Sequence, residues 1–249
     1  MSESRRRAWE ALDIGPAWRL REQPGGVVAP GREGDEPVGA VEVARALEGG
    51  GPQGAGPSAS LDWAGLREAV AGCRLCALCE TRRNAVFGVG DERAAWMVVG
   101  EAPGAEEDKV GEPFVGRAGH LLDAMLAAAG RSRREGVFIA NVLKCRPPEN
   151  RNPLPEEAVK CAPYLLRQIE LVAPELILVV GKIAAQALLD TEASIASLRG
   201  RVHRLHAGGS DIPVVVTYHP AYLLRTPLDK AKAWADLRLA CSLSASARR

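Results

Sequence analysis

Three of the six cysteines in this chain fall within the seven residues CRLCALC, at Cys73, Cys76 and Cys79. In a reducing compartment, clustered cysteines are more often metal ligands or catalytic groups than disulfide partners. Two further cysteines, Cys145 and Cys161, lie in the second half of the chain. Thiolates can bind zinc or an iron–sulfur cluster, and the spacing alone leaves both open.

Polar or Gly/Pro-rich segments follow three of four short apolar runs. They read GEAPGAEEDKVGEPFVGRAG, NVLKCRPPENRN and YHPAYLLR, and the remaining run is followed by GK. Ligands of open parallel sheets bind at the carboxyl ends of the strands, so these segments are expected to converge on one site. The first segment lacks both GxGxxG and the Lys-Ser/Thr of a P-loop, and its carboxylates would repel a triphosphate. The sequence therefore argues against dinucleotide binding and nucleoside-triphosphate hydrolysis.

The elements that must position these segments follow from the apolar pattern. Residues 95–99, 137–140, 176–180 and 213–217 are continuous apolar runs typical of strands buried on both faces. Helical patterns alternate with them, which indicates parallel strands with helices on both faces. We predict an α/β fold of three layers, αβα, around a central, mostly parallel sheet of four strands.

The composition changes near residue 60. Residues 1–60 are predicted to be an N-terminal extension, with a short helix bearing Trp9 and Trp18 and then a flexible Gly/Pro-rich linker. That helix either docks on its own domain or anchors a repair or replication partner. Residues 61–249 are predicted to form one domain.

Two global properties limit the function. The chain has no long apolar run and no export signal, so we expect a cytoplasmic protein that does not enter membranes. Its formal net charge is +1, which argues against a wholesale nucleic-acid coating but leaves room for a local basic groove.

Together the three motifs and the cysteines resemble the family 4 (iron–sulfur) uracil-DNA glycosylases. The resemblance runs from about Leu61 to about Leu239 and keeps the order and spacing of the motifs. It implies a monomeric enzyme of base-excision repair that acts on uracil-containing DNA. Such an enzyme hydrolyses the N-glycosidic bond of deoxyuridine and leaves an abasic site, without cleaving the strand.

The same resemblance implies the ligands of a structural [4Fe–4S] cluster, with zinc as the alternative. The matching positions are Cys73, Cys76, Cys145 and Cys161. Cys79 departs from the family pattern and admits a second set with Cys76 and Cys79, although CRLCALCETR fits the first set better. Cys241 is expected to be an idle thiol.

Matching positions also give the residues that would handle a flipped base. Phe114 corresponds to the stacking aromatic, Asn141 to the amide that reads uracil, and His219 to the histidine that stabilises negative charge on uracil O2. A side-chain amide can donate to O4 and accept from N3–H, whereas cytosine presents the inverted pattern. Backbone groups of three further residues are expected to assist binding, namely Gly100, Ala102 and Gly104.

The resemblance indicates the groups that act on water and DNA less directly. Glu101 and Glu107 are both candidates to orient water or to offset positive charge on the sugar. Tyr222 or Leu223 could fill the gap left by the flipped base. The candidate phosphate contacts are Arg117, Lys144 and Arg225. The remaining histidines, which we expect to be structural or on the surface, are His120, His203 and His206.

Three other functions compete with hydrolysis. One is a related branch that captures uracil-DNA covalently, but its basic, histidine-bearing insertion is missing between Cys145 and Cys161. The second is a non-turnover module that binds uracil-DNA or DNA through an iron–sulfur centre. The third is a polymerase accessory fragment, for which the sequence offers no two-metal carboxylate arrangement.

Overall fold

A computed structural model describes residues 58–246 of the chain. The predicted tryptophan helix and most of the predicted linker lie outside the described residues. The division of the chain at residue 60 stays a prediction.

The centre of the fold is a mixed six-stranded sheet with the order β1-β3-β2-β4-β6-β5. Its strands are β1 (Val89–Gly90), β2 (Trp96–Gly100), β3 (Val137–Asn141), β4 (Leu176–Val180), β5 (Val202–Ala207) and β6 (Ser210–Thr217). The inner strands β3, β2, β4 and β6 run parallel, and β1 and β5 add antiparallel edges.

The α/β class is therefore confirmed, but the predicted count of four strands is wrong. The four predicted strands are the parallel inner ones. β1 has only two residues, and β5 is a half-exposed edge strand that carries polar side chains, so neither forms an apolar run.

Helices cover both faces of the sheet, as a three-layer fold requires. They are α1 (Trp63–Ala71), α2 (Leu78–Thr81), α3 (Ala105–Val110), α4 (Arg117–Ala128), α5 (Pro155–Val172), α6 (Lys182–Leu189), α7 (Ile195–Leu198), α8 (Pro220–Arg225) and α9 (Lys230–Ser246), with short 3-10 turns at Pro148–Asn150 and Pro227–Asp229. Within the described residues, every helix is too short or too polar to cross a lipid bilayer.

Successive residues of β2 show how the two layers are separated. Met97 and Val99 pack in the core that includes α1, α5 and α6, whereas Trp96 and Val98 pack in the core that includes α4 and α9. All five residues of β2 are buried, which explains the continuous apolar run.

The strand register brings the functional segments to one edge. β2 and β3 pair in parallel from Trp96 opposite Val137 to Gly100 opposite Asn141, and β4 and β6 end together at Val180 opposite Thr217. The segments that follow these strands therefore leave the sheet at the same side.

Candidate active site

A cavity of about 810 Å³ opens at the carboxyl edge of the sheet. Its lining includes residues from the segments after all four inner strands, among them Glu101, Phe114, Asn141, Lys182, His219 and Arg225. The predicted convergence of these segments is confirmed. Lys182, which belongs to the short GK segment after β4, is a lining residue that sequence reasoning passed over.

Because Gly100 has no side chain, Asn141 and Phe114 can both approach its backbone beside the cavity. A Cβ atom there would collide with Asn141 Oδ1 and would lie 2.6 Å from the Phe114 ring. Asn141 is 2% exposed, and its Oδ1 has no hydrogen-bond partner among the described residues. A buried amide oxygen without a partner is costly, so this acceptor is left available for a ligand.

Phe114 is held in an unusual backbone conformation. Its φ angle is +55°, a left-handed conformation that a bulky residue adopts only when its surroundings enforce it. Arg133 Nη2 donates to the Phe114 carbonyl at 2.6 Å, and Arg133 Nε pairs with Asp123 at 2.7 Å. The ring lies 5.6 Å from the His219 ring, at 31° between their planes.

A second glycine makes room for that conformation. A Cβ atom at Gly119 in α4 would overlap the Phe114 carbonyl. Sequence reasoning missed both Gly119 and Arg133. The segment GRAG after Phe114 was the only available signal, and it does not show which glycine lies under the loop.

His219 caps α8 and is fixed in one tautomer. Its Nδ1 accepts a hydrogen bond from the Ala221 N–H at 3.1 Å, so the ring proton of the neutral form lies on Nε2. Burial lowers the pKa of His219 to about 4, aided by the charge of Arg225 and opposed by Glu107. The imidazole is therefore a neutral donor at physiological pH.

The two glutamates have different surroundings. Glu107 accepts from the N–H groups of Gly104, Val115 and Gly116 at 3.0 to 3.2 Å, so its carboxylate ties together the loop that carries Phe114. The Gly104 N–H is therefore already engaged, which counts against its predicted use in substrate binding. Ala102 lines the cavity as expected.

Glu101 directly follows β2, and its side chain reaches the N-terminus of α6. Its Oε1 accepts from the Ile183 N–H at 3.0 Å. Burial raises the pKa of Glu101, while the Ile183 hydrogen bond and the charge of Lys182 oppose the rise. A partly desolvated carboxylate on the cavity wall is suited to accept a proton or to orient water.

Two predicted DNA contacts are wrong. Lys144 is 2% exposed, and its ammonium donates to the Asn141 carbonyl and to Gln168 Oε1, so it cannot reach a phosphate. Leu223 is 0% exposed and packs in the core under α8, so it cannot enter a base stack.

The remaining predicted DNA contacts are Arg225, Arg117 and Tyr222, and none of them is buried. Arg225 is exposed and lines the cavity, and Arg117 is exposed at the start of α4. Tyr222 also lines the cavity, but its hydroxyl donates to Asp229 Oδ2 at 2.6 Å and its ring stacks on Tyr218 at 4.8 Å.

The other three histidines lie outside the cavity lining. His203 contacts the Leu198 carbonyl at 2.7 Å, and His206 contacts Asp211 at 3.0 Å on the surface. His120 is exposed on α4. These positions agree with the structural or surface roles expected from the sequence.

A separate cysteine centre lies on the α1 and α5 side of the sheet. Cys73, Cys76, Cys145 and Cys161 all belong to the core on this face, whereas Cys241 belongs to the opposite one. Electrostatic interactions link Cys145 to Cys76 and Cys73, and link Cys161 to Cys145 and Cys73.

Two of these four sulfurs accept hydrogen bonds from the chain. The Arg82 guanidinium donates to Cys145 Sγ at 2.9 Å, and the Lys144 N–H donates to Cys161 Sγ at 3.3 Å. The other two, Cys76 and Cys73, interact electrostatically with the Leu78 N–H and the Tyr164 side chain.

This donor set fits a cluster held by thiolates. Burial raises the pKa of Cys161 to about 12 and also raises that of Cys145, so bound iron would supply the positive charge that favours deprotonation. In residues 58–246, no group of three or more His, Cys, Asp or Glu side chains could hold a single metal ion. A [4Fe–4S] cluster takes one thiolate at each iron, whereas zinc takes its ligands at one ion.

Comparison with known proteins agrees with this geometry. The family model described as the uracil DNA glycosylase superfamily matches residues 87–238. The chain is 49% identical to the type-4 uracil-DNA glycosylase of Archaeoglobus fulgidus over 162 residues, which is 64% of this chain and 81% of that protein. It is 41% identical to the type-4 enzyme of Pyrobaculum aerophilum, over 72% of this chain and 93% of that protein.

A third relative extends the similarity. The chain is 46% identical to the type-4 uracil-DNA glycosylase of Thermotoga maritima, over 64% of this chain and 82% of that protein. The chain belongs to the uracil DNA glycosylase superfamily. Within that superfamily, it is a member of the type-4 family.

Replacing Gly119 with Ala tests the support under Phe114. The new Cβ would overlap the Phe114 carbonyl, so the loop or the helix must shift. We expect the free energy of unfolding to fall by about 2 kcal/mol or more, measured by chemical denaturation. Gly72→Ala is the control, because φ at Gly72 is −84° and its nearest atom would lie at 3.5 Å. Equal stability of the two variants would contradict this account.

Titration of His219 tests its buried neutral state. Its pKa lies at about 4 instead of 6.5, so its NMR signal, assigned with His219→Gln, should stay constant from pH 8 to pH 5. Since the unfolded chain binds this proton more readily, the histidine lowers the free energy of unfolding as the pH falls from about 6.5 towards 4. A midpoint near 6.5 would show that the imidazole is solvated.

Proposed function

We propose that this chain is a monofunctional uracil-DNA glycosylase. It hydrolyses the N-glycosidic bond of deoxyuridine in DNA, releases uracil and leaves an abasic site for base-excision repair. The observation that carries the proposal is the Asn141 amide in the cavity lining beside Phe114, whose buried Oδ1 has no hydrogen-bond partner within residues 58–246. The relatives named type-4 uracil-DNA glycosylase support it.

Asn141 and Phe114 would select the base. A uracil stacked on Phe114 can donate N3–H to Asn141 Oδ1 and accept at O4 from Asn141 Nδ2. Cytosine offers an acceptor at N3 and a donor at N4, so both amide groups would stay unpaired in a desolvated site. The cost is about 1–3 kcal/mol for each buried group, which excludes normal bases.

His219 would stabilise the leaving group. As the glycosidic bond breaks, its electron pair moves onto uracil and negative charge builds on O2. The Nε2–H is the donor of the neutral tautomer that Ala221 fixes. A donor that is already oriented loses no free energy on reorganisation in the transition state.

Glu101 is the better candidate for handling water. Glu107 already accepts from three backbone amides, and we assign it to positioning the Phe114 loop. Glu101 keeps a carboxylate on the cavity wall and has a raised pKa from burial. It would orient the water that attacks the anomeric carbon, and its charge would offset the oxocarbenium-like sugar.

DNA would approach along the open rim of the cavity. Arg225 and Lys182 line the cavity and Arg117 is exposed on α4, and these three cations would contact phosphates. With Leu223 buried, Tyr222 is the remaining candidate of the two wedge residues.

Cys73, Cys76, Cys145 and Cys161 would hold a [4Fe–4S] cluster. Bound, it would supply a covalent tie between the segment before the sheet and the α5 side, outside the cavity lining. The hydrogen bonds to the Cys145 and Cys161 sulfurs support these two ligands, and the fit of CRLCALCETR to the family pattern favours Cys73 and Cys76 over a set that contains Cys79.

The function is tested with a single-stranded oligonucleotide that carries one deoxyuridine. The wild-type protein should release free uracil, and the strand should break only after alkali. Asn141→Ala and His219→Ala should each lower the single-turnover rate on the order of 100-fold, because each removes a desolvated hydrogen bond to the reacting base. His120→Ala, an exposed histidine on α4, should keep the wild-type rate.

Two outcomes would replace this proposal. A wild-type protein that holds iron, binds the oligonucleotide and releases no uracil would favour the non-turnover binding module. A stable protein–DNA adduct without turnover would favour the covalent-capture branch.

The ligand set is tested by iron and sulfide analysis of protein purified without oxygen. Cys161→Ala should lose most of its iron and visible absorbance, because the remaining three thiolates leave one iron without its ligand. Cys79→Ala should keep both at the wild-type level. The reverse result would establish Cys79 as a ligand, and one zinc per chain without iron would establish the alternative metal.

A further inference from the structure

Lys144 is a charged side chain in the interior between the cysteine centre and the base pocket. It is 2% exposed, it directly precedes Cys145, and it lies three residues after Asn141. A buried ammonium is expensive unless it is hydrogen-bonded and its charge is offset. Its partners therefore indicate what it does.

The ammonium is bound to the main chain of the base-reading residue. Nζ donates to the Asn141 carbonyl at 2.8 Å and to Gln168 Oε1 at 2.6 Å. Gln168 Nε2 donates in turn to the Phe87 carbonyl at 2.9 Å. This chain of bonds fixes the carbonyl of Asn141.

Lys144 contacts the cysteine centre through its main chain, since its N–H donates to Cys161 Sγ at 3.3 Å. Burial lowers the pKa of its ammonium to about 8, and negative charge on Cys161 and Cys145 opposes that fall. Thiolates that hold a cluster would therefore stabilise the charged ammonium. Lys144 is thus bonded to Cys161 through its main chain and to Asn141 through its side chain.

We propose that Lys144 is a positioning residue that couples the cysteine-held centre to uracil recognition. Its ammonium is the buried counter-charge of the Cys145 and Cys161 thiolates, and it holds the carbonyl of Asn141 so that the amide faces the base. The inference rests on the proposed function. It explains how a centre that contributes no side chain to the cavity lining controls the affinity for uracil.

The experiment uses Lys144→Met in the full chain, since Met has similar length but neither charge nor donor. Lys160→Met is the matched control, because it removes the same charge beside Cys161 at an exposed position of α5. Two quantities are measured on iron-normalised protein: the inhibition constant of free uracil, and the rate at which a chelator bleaches the visible absorbance.

We expect Lys144→Met to raise the inhibition constant of uracil about tenfold, the equivalent of one misplaced hydrogen bond. Chelation should also be faster, because the thiolates have lost their counter-charge. Lys160→Met should change neither. A fully loaded Lys144→Met protein with the wild-type inhibition constant and chelation rate would overturn the proposal.

Loss of iron from Lys144→Met would agree with the counter-charge role but would prevent the measurement of uracil inhibition. A second variant then tests the proposal. Gln168→Leu keeps the ammonium and the thiolates but removes one acceptor that orients Lys144. It should keep wild-type iron and raise the inhibition constant several-fold, and an unchanged constant would overturn the proposal. Failure of the proposed function is distinct, since the wild-type protein itself would then release no uracil.

Discussion

The register between β2 and β3 is the constraint on which the site depends. It places Gly100 opposite Asn141 at the carboxyl ends of two parallel strands. Because Gly100 has no Cβ, the Asn141 amide and the Phe114 ring can both approach its backbone. Any other residue at this position would fill the space where the reading amide and the stacking ring meet. A glycine at this position is therefore required for the arrangement of Asn141 and Phe114.

The charges in the cavity disfavour a nucleotide phosphate. The histidine is neutral, the reading amide is neutral, and the carboxylates of Glu101 and Glu107 lie in the lining. A phosphate would be repelled from this interior and attracted to the exposed Arg225 at its rim. In the function proposed above, oriented dipoles in the cavity would serve the leaving base, and the exposed Arg225 would serve the DNA backbone.

The sequence predicted those parts of the site that follow directly from strand ends. Asn141 and His219 come at or just after the ends of buried runs, and Phe114 lies further along the segment after the first run, so their convergence follows from a parallel sheet. Lys144 and Leu223 were assigned wrongly because their burial depends on partners distant in the chain, Gln168 in one case and the core beneath α8 in the other. The donors to the cysteine sulfurs, Arg82 and the Lys144 N–H, were not predicted, because they are also brought to the sulfurs by the fold. β1 and β5 lack the apolar run that predicts a strand.

The position of the cysteine centre follows from what it must hold together. Cys73 and Cys76 precede the sheet, Cys145 lies in the segment after β3, and Cys161 lies on α5. A disulfide would join only two of these three segments, whereas one centre with four thiolates joins all of them. β3 ends at Asn141, to which we assign base reading, so restraining the following segment at Cys145 would limit the motion of Asn141. A site that discriminates bases by two hydrogen bonds needs this restraint, because a small displacement of the amide weakens both bonds at once.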